Sequence, residues 1–150
     1  MSLDVNIVLK GRGLFGGAVE GEALSTRKYF GFTHGVDPAT GEVVDERHEW
    51  RGLNLKGKIL VYPFGKSSSS GALWIIETVR QGNAPLAIIN VEAEAITGGG
   101  CLLAEMLYRT SIVLIDKLDK DPCEIIKSGD LVCANGQTGV VEILKGGRRA

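Results

Sequence analysis

Lys58-Ile59-Leu60-Val61-Tyr62-Pro63-Phe64-Gly65-Lys66-Ser67-Ser68-Ser69-Ser70-Gly71 is the stretch that decides the fold. Ile59 to Tyr62 is a continuous apolar run, which reads as a strand buried on both faces. Pro63 ends it, because proline cannot donate to a strand ladder. Beyond the Gly-Ser loop, Leu73, Ile76 and Val79 recur at helical spacing, with Glu77, Arg80 and Gln81 as polar partners. Gly82 closes that helix, and Pro85 leads into Leu86 to Asn90, a second buried strand. A strand–loop–helix–strand unit predicts a parallel strand pair joined by a helical crossover.

Outward from this unit the pattern turns to strands. Val5 to Leu9 is rich in β-formers, and Ala18 to Leu24 alternates apolar and acidic residues like a half-exposed strand. Between Gly31 and Gly52 turn signals dominate. Asp37-Pro38-Ala39-Thr40-Gly41 is a turn in which Pro38 sets φ, and Glu42 to Asp45 reads as a short strand. Downstream, Cys101 to Arg109 has helical spacing and Ser111 to Ile115 reads as a strand. Asp121-Pro122 starts a short helix, with Asp121 as N-cap. Leu131 to Ala134 and Val140 to Leu144, joined by Asn135 to Gly139, read as a β-hairpin. The sum is an α/β (mixed β/α) chain with a β-rich frame, a single domain over 1–150 with a frayed tail from about 146.

Composition narrows the function classes. Hydrophobic residues make up 44%, a globular value, and 17 basic against 18 acidic residues leave no basic stripe for nucleic acid or a membrane surface. No apolar run reads as a signal peptide or approaches the ~20 residues of a transmembrane helix, so a cytoplasmic protein is expected. Cys101, Cys123 and Cys133 match no zinc or iron–sulfur spacing and read as ordinary thiols. No metal or cofactor bound by this chain is expected.

The chemistry is expected at Gly65 to Gly71. The loop lies between a buried strand and a helix start, at the carboxyl end of a parallel strand, where open α/β sheets place ligands. A helix N-terminus presents unpaired N–H groups and partial positive charge, which suit an anion. Ser70 or Ser69 could instead be a plain N-cap. The run lacks the glycine spacing of a phosphate-binding P-loop and the Gly-x-Ser-x-Gly elbow of a hydrolase. His34 sits in a glycine-flanked loop that could face a ligand, though a turn residue is the commoner case; His48 is the other histidine. Asp37 reads as an Asx-turn residue, Glu92 and Glu94 as loop or surface, and Trp74 as core or interface.

Residues 57–71, with Gly82-Asn83-Ala84-Pro85-Leu86-Ala87-Ile88-Ile89-Asn90, Gly35-Val36-Asp37-Pro38-Ala39-Thr40-Gly41, Ser128-Gly129-Asp130 and Gly139-Val140-Val141-Glu142, resemble the aconitase X small-subunit family over most of residues 5–144. The resemblance implies a swivelling β/β/α domain, similar to the aconitase swivel domain. It also implies a hydro-lyase, active only with a large aconitase X-type subunit that carries an iron–sulfur cluster. Known members dehydrate the hydroxy acids phosphomevalonate or cis-3-hydroxy-L-proline. Laid on this sequence, the family's catalytic serine falls on Ser68, with Lys66, Ser67, Ser69 and Asn90 as substrate-binding candidates. Ser67 stands where the family usually has glycine, and the arginine that aconitases carry shortly after their serines is missing. The alternative is a non-catalytic anion-binding or regulatory swivel module using the same loop. A phosphohistidine-carrying swivel domain would need a histidine on that loop, and there is none.

Overall fold

A computed structural model describes residues 4–66 and 68–145. Ser67 and the tail expected to fray from about 146 lie outside the described residues. In chain order the elements are β1 (Asp4–Lys10), β2 (Arg12–Phe15), β3 (Ala18–Ser25), β4 (Ile59–Tyr62), α1 (Gly71–Arg80), β5 (Ala87–Asn90), α2 (Ala95–Tyr108), β6 (Val113–Asp116), α3 (Pro122–Ile125), β7 (Leu131–Asn135) and β8 (Val140–Lys145). The mixed α/β class expected from the sequence is the one observed.

The predicted parallel unit forms the centre. Ile59 lies opposite Ala87 and Tyr62 opposite Asn90, and β5 pairs in parallel with β6. All four residues of each of these strands are buried, as a sheet covered on both sides requires. Strand alternation then splits the core in two. Leu60, Tyr62, Ile88 and Leu114 pack toward α1 and α2, while Ile59, Val61, Ile89 and Ile115 pack toward Leu9, Val132, Val141 and Ile143 of the antiparallel strands. Each such side chain stabilises the fold by about 1.5–3 kcal/mol. β3 joins the two halves: its first part pairs antiparallel with β7, and Ala23 to Ser25 pair parallel with β4. The strand order is β1-β8-β7-β3-β4-β5-β6-β2. The layers are therefore β/β/α, with the loop of residues 63–70 at the carboxyl end of the central strand β4.

Three local expectations are corrected, and one strand without a sequence-based expectation is added. Glu42 to Asp45 is not a strand; it makes only the isolated bridges Val36–Val43 and Glu42–Asn54, because two bridging residues do not build a ladder. The second long helix begins at Ala95, six residues before Cys101. Gly98 to Gly100 weaken helix propensity, but a Cβ on Gly100 would lie 3.0 Å from Ile75, so glycine lets α1 and α2 approach. The strand expected at Ser111 to Ile115 runs from Val113 to Asp116. Arg12 to Phe15, flanked by glycines, forms β2 against β6.

That last pairing is held by charge. Arg12 donates to both carboxylate oxygens of Asp116, Nε to Oδ1 at 2.9 Å and a terminal nitrogen to Oδ2 at 2.8 Å, and the Ala93 N–H donates to Oδ2 at 2.9 Å. The Asp116 side chain is fully buried. Burial alone would raise its pKa; the guanidinium fork and the Ala93 N–H outweigh it and hold the carboxyl below its ordinary value. A depressed folded pKa contributes stability above the unfolded value, and that stability is lost as pH falls through the folded one. Asp116→Ala is expected to lower the unfolding free energy by about 2–4 kcal/mol in urea titrations at neutral pH, and to flatten the acid limb of stability. An unchanged unfolding midpoint would contradict this.

Candidate functional site

Two loops meet at the mouth of α1. Phe30 forms an isolated parallel bridge with Gly65, the Lys66 N–H donates to the Phe30 carbonyl at 2.8 Å, and the Phe30 N–H reaches the Phe64 carbonyl at 3.4 Å. The approach needs glycine, since a Cβ on Gly31 would sit 2.2 Å from the Lys66 carbonyl oxygen. The stitching brings Thr33 over the serine run. Ser68 Oγ donates to Thr33 Oγ1 at 3.3 Å and lies 2.7 Å from Ser70 Oγ, and Thr33 Oγ1 lies 3.1 Å from Ser70 Oγ. The result is a triangle of three hydroxyls.

The triangle sits at the positive end of a ten-residue helix whose first turn holds no acidic side chain. Ser70 occupies the N-cap position, yet its side chain makes no cap hydrogen bond. It forgoes a contribution of about 1 kcal/mol to the helix and points into the triangle instead. Gly71 follows; a Cβ there would lie 3.2 Å from Ile96 and 3.6 Å from Thr33 Oγ1.

Ser68 and Ser69 are exposed. Lys66 is also exposed, with Nζ 3.9 Å from Asp45, a distance that leaves the ammonium free to turn to another anion. Ser67 lies outside the described residues. Asn90 differs from its expected role. It has no exposed surface, and its amide donates to the Tyr62 carbonyl at 2.9 Å. The strand's carboxyl end does reach the site, but this side chain turns inward and ties β5 to β4 under the loop.

The remaining candidates fall around the triangle. His34 is exposed, has a left-handed φ of 55°, and sets its ring edge-on to Trp74 at 4.9 Å. Trp74 is fixed by its indole N–H, which donates to the Val36 carbonyl at 2.7 Å. Asp37 is the Asx-turn residue read from the sequence, its Oδ1 accepting from the Ala39 N–H at 2.9 Å. His48 is buried among Phe30 and Trp50, and burial lowers its pKa. Glu92 is exposed. Glu94 is more than the expected surface residue: it is the N-cap of α2, accepting from Ile96 N at 2.7 Å and Thr97 N at 3.0 Å. Its carboxylate abuts Gly65, where a Cβ would lie 2.4 Å from Oε1.

The site is half a pocket. Beneath the loop, the cavity among Tyr62, Gly65, Glu94 and Thr97 is about 10 Å³, the size of one water. Beside it, a shallow apolar groove of about 260 Å³ runs along Pro38, Ser70, Leu73 and Trp74. Ligand pockets span roughly 300–1,000 Å³ and enclose most of the ligand. A wider groove of about 420 Å³ crosses the far sheet face, but Glu20 and Glu142 line it, and they repel an acid. The hydroxyl triangle therefore has one wall, and a substrate there needs another.

The family model of the aconitase X swivel domain matches residues 8–143. This chain belongs to the aconitase X swivel-domain family. Curated relatives of this swivel domain include the phosphomevalonate dehydratase small subunit of Methanosarcina acetivorans, 43% identical over 94% of this chain and 94% of its own, and that of Pyrococcus furiosus, 41% identical over 93% and 97%. Among solved structures, the crystal structure of Thermococcus kodakaraensis aconitase X in its holo-form superposes with a TM-score of 0.84 at 38% identity, covering 93% of this chain and all of that one. A solution NMR structure of a UPF0107 protein gives a TM-score of 0.80 at 36% identity, over 91% and 98%. With the aconitase X family goes the enzyme class: the chain is a hydro-lyase subunit.

The swivel domain's own residues do not fit an iron–sulfur cluster. Among the described residues no group of three His, Cys, Asp or Glu could hold a metal ion. Burial pushes the thiols of Cys101 and Cys123 up to about 12 and that of Cys133 to about 11, so in the metal-free chain they rest as neutral thiols. No described helix of the swivel domain is long and apolar enough to cross a membrane.

Thr33 and Gly31 are the site residues that sequence reasoning missed. The glycine-flanked run Gly31-Phe32-Thr33-His34-Gly35 drew attention to its histidine, yet it is the neighbouring hydroxyl that reaches the serines. Glycines on both sides of a hydroxyl residue, in a loop without periodicity, were the available signal.

Proposed function

We propose that this chain is the small subunit of a phosphomevalonate dehydratase and supplies Ser68 as the base at an interface with a large subunit. The observation that carries the reading is the exposed Ser68 hydroxyl, held by two other hydroxyls at the mouth of α1 on a surface with only one wall. The substrate follows from the shared name of the curated relatives, 37–43% identical along nearly their whole length. The same names, as small subunits, support a large partner, and the cytoplasm is the compartment that fits this chemistry.

The reaction is β-elimination. Ser68 Oγ, its own proton released to solvent, takes the proton from the carbon next to the substrate carboxylate. The electron pair of that C–H bond becomes the second bond of the alkene, and the hydroxyl on the neighbouring carbon leaves with its own pair and departs as water once protonated. A free serine is far too weak a base for this. The positive end of α1 and the two neighbouring hydroxyls stabilise the alkoxide. Lys66 and Ser69 bind the substrate's anionic groups from the open side, and Ser67, which follows Lys66 in sequence, is the further substrate-binding residue of the proposal. The iron–sulfur cluster expected of the enzyme supplies Lewis-acid chemistry from the large subunit when bound.

The test is reconstitution. Co-purified with its large subunit, the chain is expected to dehydrate phosphomevalonate and to leave cis-3-hydroxy-L-proline unchanged. Neither subunit alone should turn over. Dehydration of hydroxyproline alone would overturn the substrate, and turnover by this chain without a partner would overturn the half-site.

A further inference from the structure

We propose that Thr33, on a loop separate from the serine run, is a positioning residue that acts with Ser70 to stabilise the ionised form of Ser68. The inference rests on the reading of Ser68 as the base. A hydroxyl carries one donor and two acceptor sites. With all three protons present, the triangle of Thr33, Ser68 and Ser70, with edges of 2.7, 3.1 and 3.3 Å, closes as a ring in which each hydroxyl donates once. Removing the Ser68 proton leaves two donors and one anion. Thr33 and Ser70 can then both donate to Ser68, so two charge-assisted bonds replace three neutral ones, and charge-assisted bonds are roughly twice as strong. The arrangement loses little when Ser68 ionises, which is what a serine base needs.

The surroundings aim Thr33 at this task. The Phe32 carbonyl accepts from Gly35 N at 3.0 Å and Val36 N at 3.2 Å, folding the loop back on itself, and His34 carries the left-handed φ that completes the turn. Glycine is required at Gly35, where a Cβ would lie 1.9 Å from the Gly31 carbonyl oxygen. Thr33 is β-branched, so its hydroxyl direction is more restricted than a serine's. Ser70 adds an independent sign: in the N-cap position, its hydroxyl serves the triangle and not the helix. A side chain that leaves its local structural role unfilled marks a functional site.

The experiment uses the complex reconstituted with the large subunit. Thr33→Val keeps the shape and removes the hydroxyl. It is expected to lower kcat for phosphomevalonate by about 10²-fold with KM unchanged, the scale seen when one donor to a developing oxyanion is removed. Thr33→Ser is expected to restore most of the rate. Full-speed turnover by Thr33→Val, or equal loss in Thr33→Val and Thr33→Ser, would overturn the proposal, because the first denies a role and the second reports packing. If Thr33→Val does not assemble, Ser70→Ala carries the test: a fall in kcat without a change in KM supports the proposal, and a wild-type rate overturns it. Ser68→Ala, run beside them, separates the two layers. An inactive Ser68→Ala with a full-speed Thr33→Val removes this inference alone; an active Ser68→Ala removes the base reading beneath it.

Discussion

Ser68→Ala, assembled with the large subunit, should lose about 10²–10⁴-fold in kcat, the range a positioned general base contributes. The fold should not notice. Ser68 is exposed, and the contacts described for its side chain are the two hydroxyls of Thr33 and Ser70. Surface substitutions of this kind change stability by less than about 0.5 kcal/mol. The surviving hydroxyls cannot easily take over. Ser70 is half-buried behind Ser68, and Thr33 belongs to the other loop, so neither presents its oxygen where Ser68 does. Steady-state kinetics and a melting curve on the same preparation check both halves. Activity within a few-fold of wild type would remove Ser68 from the mechanism.

Gly31→Ala should damage stability and turnover together. The added Cβ would stand 2.2 Å from the Lys66 carbonyl oxygen, and the carbon behind that oxygen would be 3.2 Å away. A backbone atom cannot swing aside as a side-chain tip can, so the loops at 30–36 and 63–70 must part. Overpacking of this sort costs about 1–3 kcal/mol. Parting the loops also withdraws Thr33 from Ser68, because both are carried by the segments that Phe30, Gly65 and Lys66 stitch together. Gly17→Ala is the control, since a Cβ there meets nothing within 4 Å. In thermal unfolding and turnover assays, Gly31→Ala should fall well below wild type on both measures and Gly17→Ala on neither. Equal behaviour of the two would mean that the close approach does not matter.

Much of the central unit was legible because its signals are local. An apolar run bounded by Pro63, then helical spacing closed by Gly82, specifies β4, α1 and β5 almost residue by residue. What depends on distant partners was not. Arg12 to Phe15, four residues flanked by glycines, carries too short a local pattern to mark a strand and becomes β2 by pairing with β6, whose Asp116 lies over a hundred residues away. The first turns of α2 were hidden by Gly98 to Gly100, whose propensity is overridden by packing on Ile75 and the Glu94 cap. The site divides the same way. The serine run is visible in composition alone, and the family resemblance picks out Ser68 within it. Thr33 comes from 35 residues earlier, so no spacing rule could link the two. Asn90 depends on tertiary context in the same way. Its position at the carboxyl end of β5 is right for a ligand, but burial beneath the loop turns its amide to the Tyr62 carbonyl.

The most direct test of a serine base is the fate of the proton it removes. In the reconstituted complex, phosphomevalonate tritiated at the carbon beside its carboxylate should release tritium to water in step with alkene formation. Ser68→Ala, with substrate still bound, should release almost none. Tritium release by that variant at the wild-type rate would show that another group takes the proton, and that the base does not sit at the mouth of α1.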